Sequence, residues 1–138
     1  VPLRIGDTVL TPMLTPGHTP GCTSWRMTAT ERGRRYGVFF PCSYTVAGNR
    51  LIGNSGYPGI VADFRATFAR LQSVKADIVL PPHPEFADVL GRHARQLAGD
   101  ADAWVDPAGL QKLVSTAAAA FDEELARQSA PKAASPPR

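Results

Sequence analysis

Short stretches of alternating apolar and polar residues open the chain, which is the pattern of β-strands. Residues 3–14 predict a hairpin or a single strand with a Gly-Asp turn inside it. Residues 23–28 alternate and are rich in strand-forming side chains. After an arginine-rich turn, residues 36–40 form a more uniformly apolar run, as expected for a strand that is covered on both faces.

Helical spacing begins at Pro58, where apolar residues start to recur every three or four positions. The stripe consists of Ile60, Phe64, Phe68 and Leu71. A second helix is predicted to start at Asp106, with that aspartate as the N-cap and Pro107 at the first helical position. Its stripe consists of Leu110, Leu113, Val114, Ala117, Phe121 and Leu125.

Between these two helices the pattern is less regular. Residues 77–80 predict a short buried strand that stops at Pro81. Residues 85–103 predict a helix that is interrupted near Gly91. The order of the elements, three strands followed by a helix, a strand and a helix, predicts an α/β fold.

Composition places the chain among ordinary globular domains, with 43% hydrophobic and 20% charged residues and a net charge of +3. Residues 1–128 form one predicted domain, and the Ala/Pro-rich residues 129–138 are predicted to be a disordered tail. The basic residues form no stripe interleaved with aromatic residues, which argues against nucleic-acid binding. No apolar run approaches the ~18 residues of a membrane span. The chain begins without methionine inside a predicted strand, so we expect sequence upstream of Val1.

Two of the three histidines lie in loops stiffened by proline. His18 stands within Thr-Pro-Gly-His-Thr-Pro-Gly, and His83 follows a predicted strand within Pro-Pro-His-Pro. Proline fixes φ and glycine permits positive φ, so both loops have a defined shape. Ligand sites of layered α/β folds collect at strand ends, and we therefore expect the two histidines to meet. His93, in a charged helical segment, is predicted to be solvated.

Rigidly held imidazoles are suited to binding zinc, because neutral imidazole is the commonest zinc donor. A zinc site needs three or four protein ligands. The aspartates and glutamates of this chain do not fall in the obvious loops. If His18 and His83 bind a metal, most of the coordination sphere lies outside this sequence.

The two cysteines, Cys22 and Cys42, lack the spacing of a zinc knuckle. If residues 25–28 pair with residues 35–40 as a hairpin, the cysteines come opposite each other at the reach of a disulfide. The alternatives are two buried thiols, or Cys42 as a metal ligand. A disulfide fits an exported protein in an oxidising compartment.

The order of these motifs resembles the C-terminal half of a metallo-β-lactamase, most closely the third subclass of that class. The matching segments are Thr-Pro-Gly-His-Thr-Pro-Gly-Cys-Thr-Ser-Trp at 15–25 and Gly-Asn at 53–54 with Tyr-Pro at 57–58. Asp-Ile-Val-Leu-Pro-Pro-His-Pro follows at 77–84, and Phe-Asp-x-x-Leu ends the match at 121–125. The likeness extends over nearly all of residues 3–128.

The resemblance implies the C-terminal αβ half of an αββα sandwich, with a mixed sheet, helices on one face and two zinc ions at the sheet edges. It implies that His18 binds the first zinc and His83 the second. Ser43, at a position where another subclass has a cysteine ligand, and Thr45 would supply hydroxyls that hold the substrate carboxylate. The implied reaction is hydrolysis of the β-lactam amide, with zinc lowering the pKa of its water.

One departure from the family pattern decides what this chain can do alone. The His-x-His-x-Asp-His motif, which supplies four of the family's six ligands, is absent from this sequence. We therefore expect no catalytic residue in this chain, little activity by itself, and a missing N-terminal half of the fold as its partner, alongside the β-lactam. The parent protein is expected in the periplasm or outside the cell.

Two other functions are kept as alternatives. Another hydrolase of the same superfamily would act on an ester or a thioester. Glyoxalase-like and lactonase-like members place a bridging aspartate after the strand that ends here at Phe40, where this sequence has Pro-Cys-Ser, and this difference favours the lactamase. The second alternative is a non-catalytic fragment or pairing module whose exposed face binds a complementary half.

Overall fold

A computed structural model describes residues 1–131 of the chain, and the last predicted tail residues, 132–138, lie outside the described residues. The strands are β1 (Leu3–Ile5), β2 (Thr8–Leu14), β3 (Thr23–Glu31), β4 (Arg34–Phe40) and β5 (Ile78–Val79). The helices are α1 (Ile60–Leu71), α2 (Val89–Leu97) and α3 (Gly109–Ser129), with a 3₁₀ turn at Pro84–Ala87. No helix within this described part is both long and apolar enough to cross a membrane.

The strands form one mixed sheet in the order β1-β2-β3-β4-β5. Neighbouring strands run antiparallel from β1 to β4, with Trp25 opposite Phe40, whereas β4 and β5 run parallel, with Phe39 opposite Val79. Strands β2, β4 and β5 therefore point the same way, and their carboxyl ends meet at one edge of the sheet. The predicted α/β class with a mixed sheet is confirmed.

The hydrophobic core lies between one face of the sheet and helices α1 and α3. Phe39 of β4 faces this core, and the rings of Phe64 and Phe68 on α1 contact Phe121 of α3 with centroid separations of 5.0 and 5.8 Å. Val79 of β5 closes the same cluster. Both helical stripes predicted from the sequence supply this core, because each helix buries the side on which its apolar residues recur.

The helix boundaries differ from the predicted ones. Helix α1 begins at Ile60 rather than Pro58, and α3 begins at Gly109 rather than after Asp106. The Asp106 carboxylate accepts a hydrogen bond from the backbone N–H of Ala108 at 3.1 Å, which closes a turn before the helix instead of capping it. At its other end α3 continues to Ser129, the first residue of the predicted tail.

The segment between β5 and α3 also differs from its prediction. The break in residues 85–103 lies at Asp88, whose backbone is left-handed (φ 50°), and Gly91 is inside α2. Asp88 separates the 3₁₀ turn from the helix because a residue with positive φ cannot continue a right-handed turn. The side chain of Arg92 holds the segment together through the carbonyl oxygens of Ala87 and Ala103, at 2.8 and 3.2 Å.

Candidate metal centre

The sheet topology brings three predicted site segments to the same edge. His18 follows the end of β2 by four residues, Ser43 follows the end of β4 by three, and His83 follows the end of β5 by four. Because these strands run parallel to one another, their following loops share one rim of the sheet. Strand direction, rather than any local motif, gathers the candidate residues.

His18 has a defined ring orientation. Its Nδ1 atom lies 2.8 Å from the backbone oxygen of Thr45, and the imidazole is half-buried. A carbonyl oxygen can only accept, so Nδ1 carries the proton and donates it. The other ring nitrogen, Nε2, then keeps its lone pair, which is the form that binds a metal, and the Thr45 carbonyl fixes this tautomer.

The loop that carries His18 is held against helix α1. The Thr67 hydroxyl donates to the backbone oxygen of Pro16 at 2.7 Å, and the N–H of Thr15 donates to the oxygen of Cys22 at 2.8 Å. Gly17 has φ 139° and lies directly on the ring of Phe64. The helix thus supplies both a polar and an apolar contact under the loop.

A buried chain of hydroxyl groups lies beside this loop. Ser24 Oγ is 2.8 Å from Thr15 Oγ1 and 2.7 Å from the Tyr44 hydroxyl, and it accepts a hydrogen bond from the N–H of Cys42 at 2.9 Å. Burial raises the pKa of Tyr44 to about 12, against a smaller opposing effect of the hydrogen bonds with Ser24 and Thr15. The chain connects the loop after β2 with the loop after β4.

A disulfide joins the same two loops. Cys22 and Cys42 are bonded with a Cα–Cα distance of 5.8 Å. The register of the β3–β4 hairpin, with Trp25 opposite Phe40, brings the two cysteines together just beyond the last paired residues. Neither thiol is therefore free in this structure to act as a metal ligand.

Ser43 and Thr45 present their hydroxyls to each other beside His18. Their side-chain oxygens are 3.0 Å apart, and the N–H of Thr45 points at Ser43 Oγ at 3.4 Å. Both side chains are half-buried. Thr45 therefore links the two groups, because its backbone oxygen accepts from the His18 ring and its hydroxyl pairs with that of Ser43.

His83 stands on the next loop along the edge. Its ring is exposed and meets the ring of Phe86 edge-on, with the centroids 5.5 Å apart. An apolar cavity of about 170 Å³ separates the loop of Ser43 and Thr45 from the loop of Pro81 and Phe86. His83 therefore follows β5, the strand beside β4, at the same edge of the sheet as His18.

The described residues do not complete a metal site. Among residues 1–131, no three His, Cys, Asp or Glu side chains are grouped closely enough to hold a metal ion. His93 is exposed on α2. Within this described part, His18 and His83 therefore belong to no cluster of three such side chains.

Two polar residues that the sequence analysis did not single out also contact this region. The Asn49 side-chain amide donates to the backbone oxygen of His18 at 3.0 Å. The Gln128 side chain donates to the backbone oxygen of Asn49, also at 3.0 Å. The sequence separations of 31 and 79 residues leave no periodic signal from which these contacts could have been found.

Solved structures identify the fold. No protein-family model matches the sequence. Structural comparison matches 94% of the chain to BJP-1, a subclass B3 metallo-β-lactamase of Bradyrhizobium japonicum, with a TM-score of 0.89 and 42% identity over 49% of that enzyme. The chain has the fold of half a subclass B3 metallo-β-lactamase. The FEZ-1 metallo-β-lactamase from Legionella gormanii gives a TM-score of 0.90 at 33% identity, covering 95% of this chain and 50% of that one.

A more distant match has the same extent. MEM-A1, a subclass B3 metallo-β-lactamase from a soil metagenome library, gives a TM-score of 0.85 at 27% identity, covering 94% of this chain and 50% of that one. The chain therefore spans about half the length of the metallo-β-lactamases it matches, which is consistent with a C-terminal half. The resemblance drawn from the sequence motifs is confirmed at the level of family and fold.

Proposed function

We propose that this chain supplies part of the metal and substrate site of a zinc-dependent hydrolase that opens the β-lactam amide bond. The ring of His18 carries the proposal, because its Nδ1–H donates to the Thr45 carbonyl and leaves Nε2 to face a metal. His83, which follows β5 at the same edge of the sheet, is the second proposed imidazole ligand. The kinship with subclass B3 metallo-β-lactamases supports zinc as the metal and a β-lactam as the substrate.

The residues present fit zinc in kind but not in number. Neutral imidazoles are ordinary zinc donors, whereas a zinc site needs three or four protein ligands. The described residues bring no three such ligands together. We therefore assign the remaining ligands, and all catalytic residues, to a complementary half that carries the His-x-His-x-Asp-His motif.

The chain's own residues would bind and orient the substrate. The paired hydroxyls of Ser43 and Thr45 can donate to a substrate carboxylate, as charge-assisted hydrogen bonds. The His18 loop, anchored to α1 and to Cys42, would keep its imidazole in place before a metal arrives. Zinc, when bound, would polarise the lactam carbonyl as a Lewis acid.

One face of the sheet is suited to the complementary half. Trp25 and Met27 of β3 and Phe40 of β4 lie on the face of the sheet opposite Phe39, because side chains alternate along a strand and Trp25 is paired with Phe40. Leu14 on the same face is 53% exposed. An apolar sheet face of this kind is expected to pack on a second layer. We propose that the missing αβ half forms that layer.

The disulfide supports a proposed location. A Cys22–Cys42 bond persists in oxidising compartments and is rare in the cytosol. We therefore place the parent protein in the periplasm or outside the cell.

The decisive experiment measures nitrocefin hydrolysis with added zinc, for this chain alone and for the chain mixed with a complementary half that carries the missing motif. We expect no turnover by the chain alone and turnover by the pair. His18→Ala and His83→Ala should each lower kcat/KM of the pair by at least about two orders of magnitude, because each removes a metal ligand. His93→Ala, the third histidine of the chain, is the matched control and should leave kcat/KM unchanged.

Three results would change the proposal. Turnover by the chain alone would mean that it holds ligands beyond His18 and His83. Hydrolysis of an ester or a thioester but not of nitrocefin would favour another hydrolase of the superfamily. A stable pair that hydrolyses none of these substrates would favour the pairing module, for which the absence of a complete metal cluster among residues 1–131 is the supporting observation.

A further inference from the structure

We propose that Asn49 and Gln128 form a brace that positions the imidazole of His18 for metal binding. This inference rests on the proposed function, because it takes His18 to be a metal ligand. The brace runs from the last turns of α3, through the loop between β4 and α1, to the backbone of His18. Asn49 bonds the backbone of His18 and Gln128 bonds Asn49, so both act through His18.

The first part of the brace holds His18 at two points. The Asn49 amide donates to the His18 backbone oxygen at 3.0 Å, while the Thr45 backbone oxygen accepts from the ring Nδ1 at 2.8 Å. Both contacts come from residues 45–49 of the loop between β4 and α1, where the N–H of Asn49 donates to the Val46 oxygen at 2.9 Å. The position of this loop therefore determines where the His18 backbone lies and how its ring is oriented.

The second part fastens that loop to α3. The Gln128 amide donates to the Asn49 backbone oxygen at 3.0 Å, and its oxygen accepts from the N–H of Leu51 at 2.6 Å. The same amide nitrogen donates to the Glu124 carboxylate at 2.6 Å. Glu124 is in turn paired with Arg127, so the Gln128 side chain is held on its own helix.

The loop depends on such contacts for its shape. Residues 41–59 contain neither helix nor strand, so backbone ladders do not fix the loop between β4 and α1. Side-chain contacts hold it instead, among them the Cys22–Cys42 disulfide and Leu51, which is buried in the core. Groups that orient a metal-binding histidine commonly change metal affinity by about 10–100-fold when removed. We expect an effect of this size from a brace that sets the Thr45 carbonyl against Nδ1.

The test reads the tautomer of His18 directly in the metal-free chain. Long-range ¹H–¹⁵N NMR correlations distinguish an imidazole protonated at Nδ1 from one protonated at Nε2. The native chain should show His18 protonated at Nδ1. In Gln128→Ala and Asn49→Ala we expect a mixture in which the Nε2–H form becomes substantial. Zn²⁺ should bind the His18 ring of each of these two variants about 10-fold more weakly than that of the native chain.

Gln111→Ala is the matched control. Gln111 is another half-buried glutamine of α3, and its amide donates to the backbone oxygens of Leu71 and Val74, both at 3.0 Å, away from His18. Its removal should cost similar stability but leave the His18 tautomer and the zinc affinity unchanged. Asn49→Ala, which removes one side-chain hydrogen bond from the brace, gives the answer if Gln128→Ala does not fold.

The readouts separate this proposal from the one on which it rests. An unchanged His18 tautomer in folded Asn49→Ala and Gln128→Ala would overturn the brace, whatever zinc does. An equal change in Gln111→Ala would also overturn it, because the effect would then follow stability alone. A change of the His18 tautomer in both variants would support the brace. If Zn²⁺ then failed to bind the His18 ring in every chain, including the native one, that result would count against His18 as a ligand.

Discussion

Gly17 lies against the ring of Phe64 so closely that a Cβ atom on Gly17 would come 2.7 Å from two atoms of that ring. The backbone at Gly17 has φ 139°, a conformation that side-chain-bearing residues rarely adopt. The loop of His18 therefore approaches helix α1 at a distance that only glycine permits. Because the ring atoms concerned belong to a fully buried phenylalanine, they have little room to move away.

Gly17→Ala should destabilise the protein by at least about 2 kcal/mol, since overpacking and backbone strain each cost roughly 1–3 kcal/mol. Urea unfolding monitored by tryptophan fluorescence measures the change. Gly21→Ala is the matched control in the same loop, because a Cβ there meets no atom within 4 Å and φ is not positive. If both variants lose the same stability, the contact with Phe64 does not constrain the loop.

The Cys22–Cys42 disulfide should contribute about 3 kcal/mol to stability, because it closes a loop across a sequence separation of 20. The replacement of both cysteines by alanine should lower the unfolding midpoint in urea, and a reducing agent should lower the midpoint of the native chain by a similar amount. Thiol titration of the denatured, unreduced protein should find no free thiol. Two free thiols would contradict the disulfide.

Arg92→Ala should cost roughly 2–3 kcal/mol, because it removes the arginine donor to the carbonyl oxygen of Ala87 and takes a charged partner from Asp106. The carbonyl oxygen of Ala103 keeps its second donor, Arg95, at 2.8 Å. The Arg92–Asp106 pair is largely buried, with the two side chains 14% and 25% exposed. Thermal unfolding followed by circular dichroism measures the loss.

Arg34→Ala is the control for that prediction, because the Arg34–Asp102 pair is more than half exposed on both sides and should contribute less than about 1 kcal/mol.

The stability of the protein at low pH checks the role of Asp106 separately. Burial alone would raise the pKa of Asp106, but hydrogen bonds from Arg92 and Lys112 outweigh it and lower that pKa below its ordinary value. Stability from Asp106 is therefore present above its ordinary pKa and lost as pH falls through the lowered one. Arg92→Ala should reduce this acid sensitivity.

Tyr44 should make the protein sensitive to alkali. Its pKa is raised by burial to about 12 in the folded state, against an ordinary value of 10.0. The stability linked to this group is fully present below pH 10.0 and is lost as pH rises through about 12, because the unfolded state releases the proton first. The absorbance of tyrosinate and the unfolding midpoint should change together in this range.

Tyr44→Phe should remove that part of the alkaline transition. Burial, together with the carboxylate of Asp63, also raises the pKa of Tyr57 to about 12, so Tyr57→Phe is the necessary comparison. Tyr57 lies outside the hydroxyl chain of Thr15, Ser24 and Tyr44. An alkaline transition that Tyr44→Phe leaves intact would mean that the hydroxyl of Tyr44 is not the buried group responsible.

The elements that depend on local pattern could be predicted, and those that depend on tertiary contacts could not. Ile60 and Phe64 lie on one side of a helix whatever surrounds them, so their stripe was visible in the sequence. The start of α3 was misplaced because Asp106 closes a turn with Ala108 and also pairs with Arg92, which lies 14 positions earlier in the chain. The break at Asp88 follows from a positive φ at a residue that is not glycine.

The sequence by itself determined the periodic elements, the family resemblance and the two histidine loops, because these reside in neighbouring residues. Only the tertiary structure decided which way the His18 ring faces, since the Thr45 carbonyl that orients it lies 27 positions further along the chain. The same holds for Gln128, which reaches Asn49 across 79 positions. Hydrogen bonds between distant residues depend on how the chain folds back on itself, and spacing within the sequence carries no record of them.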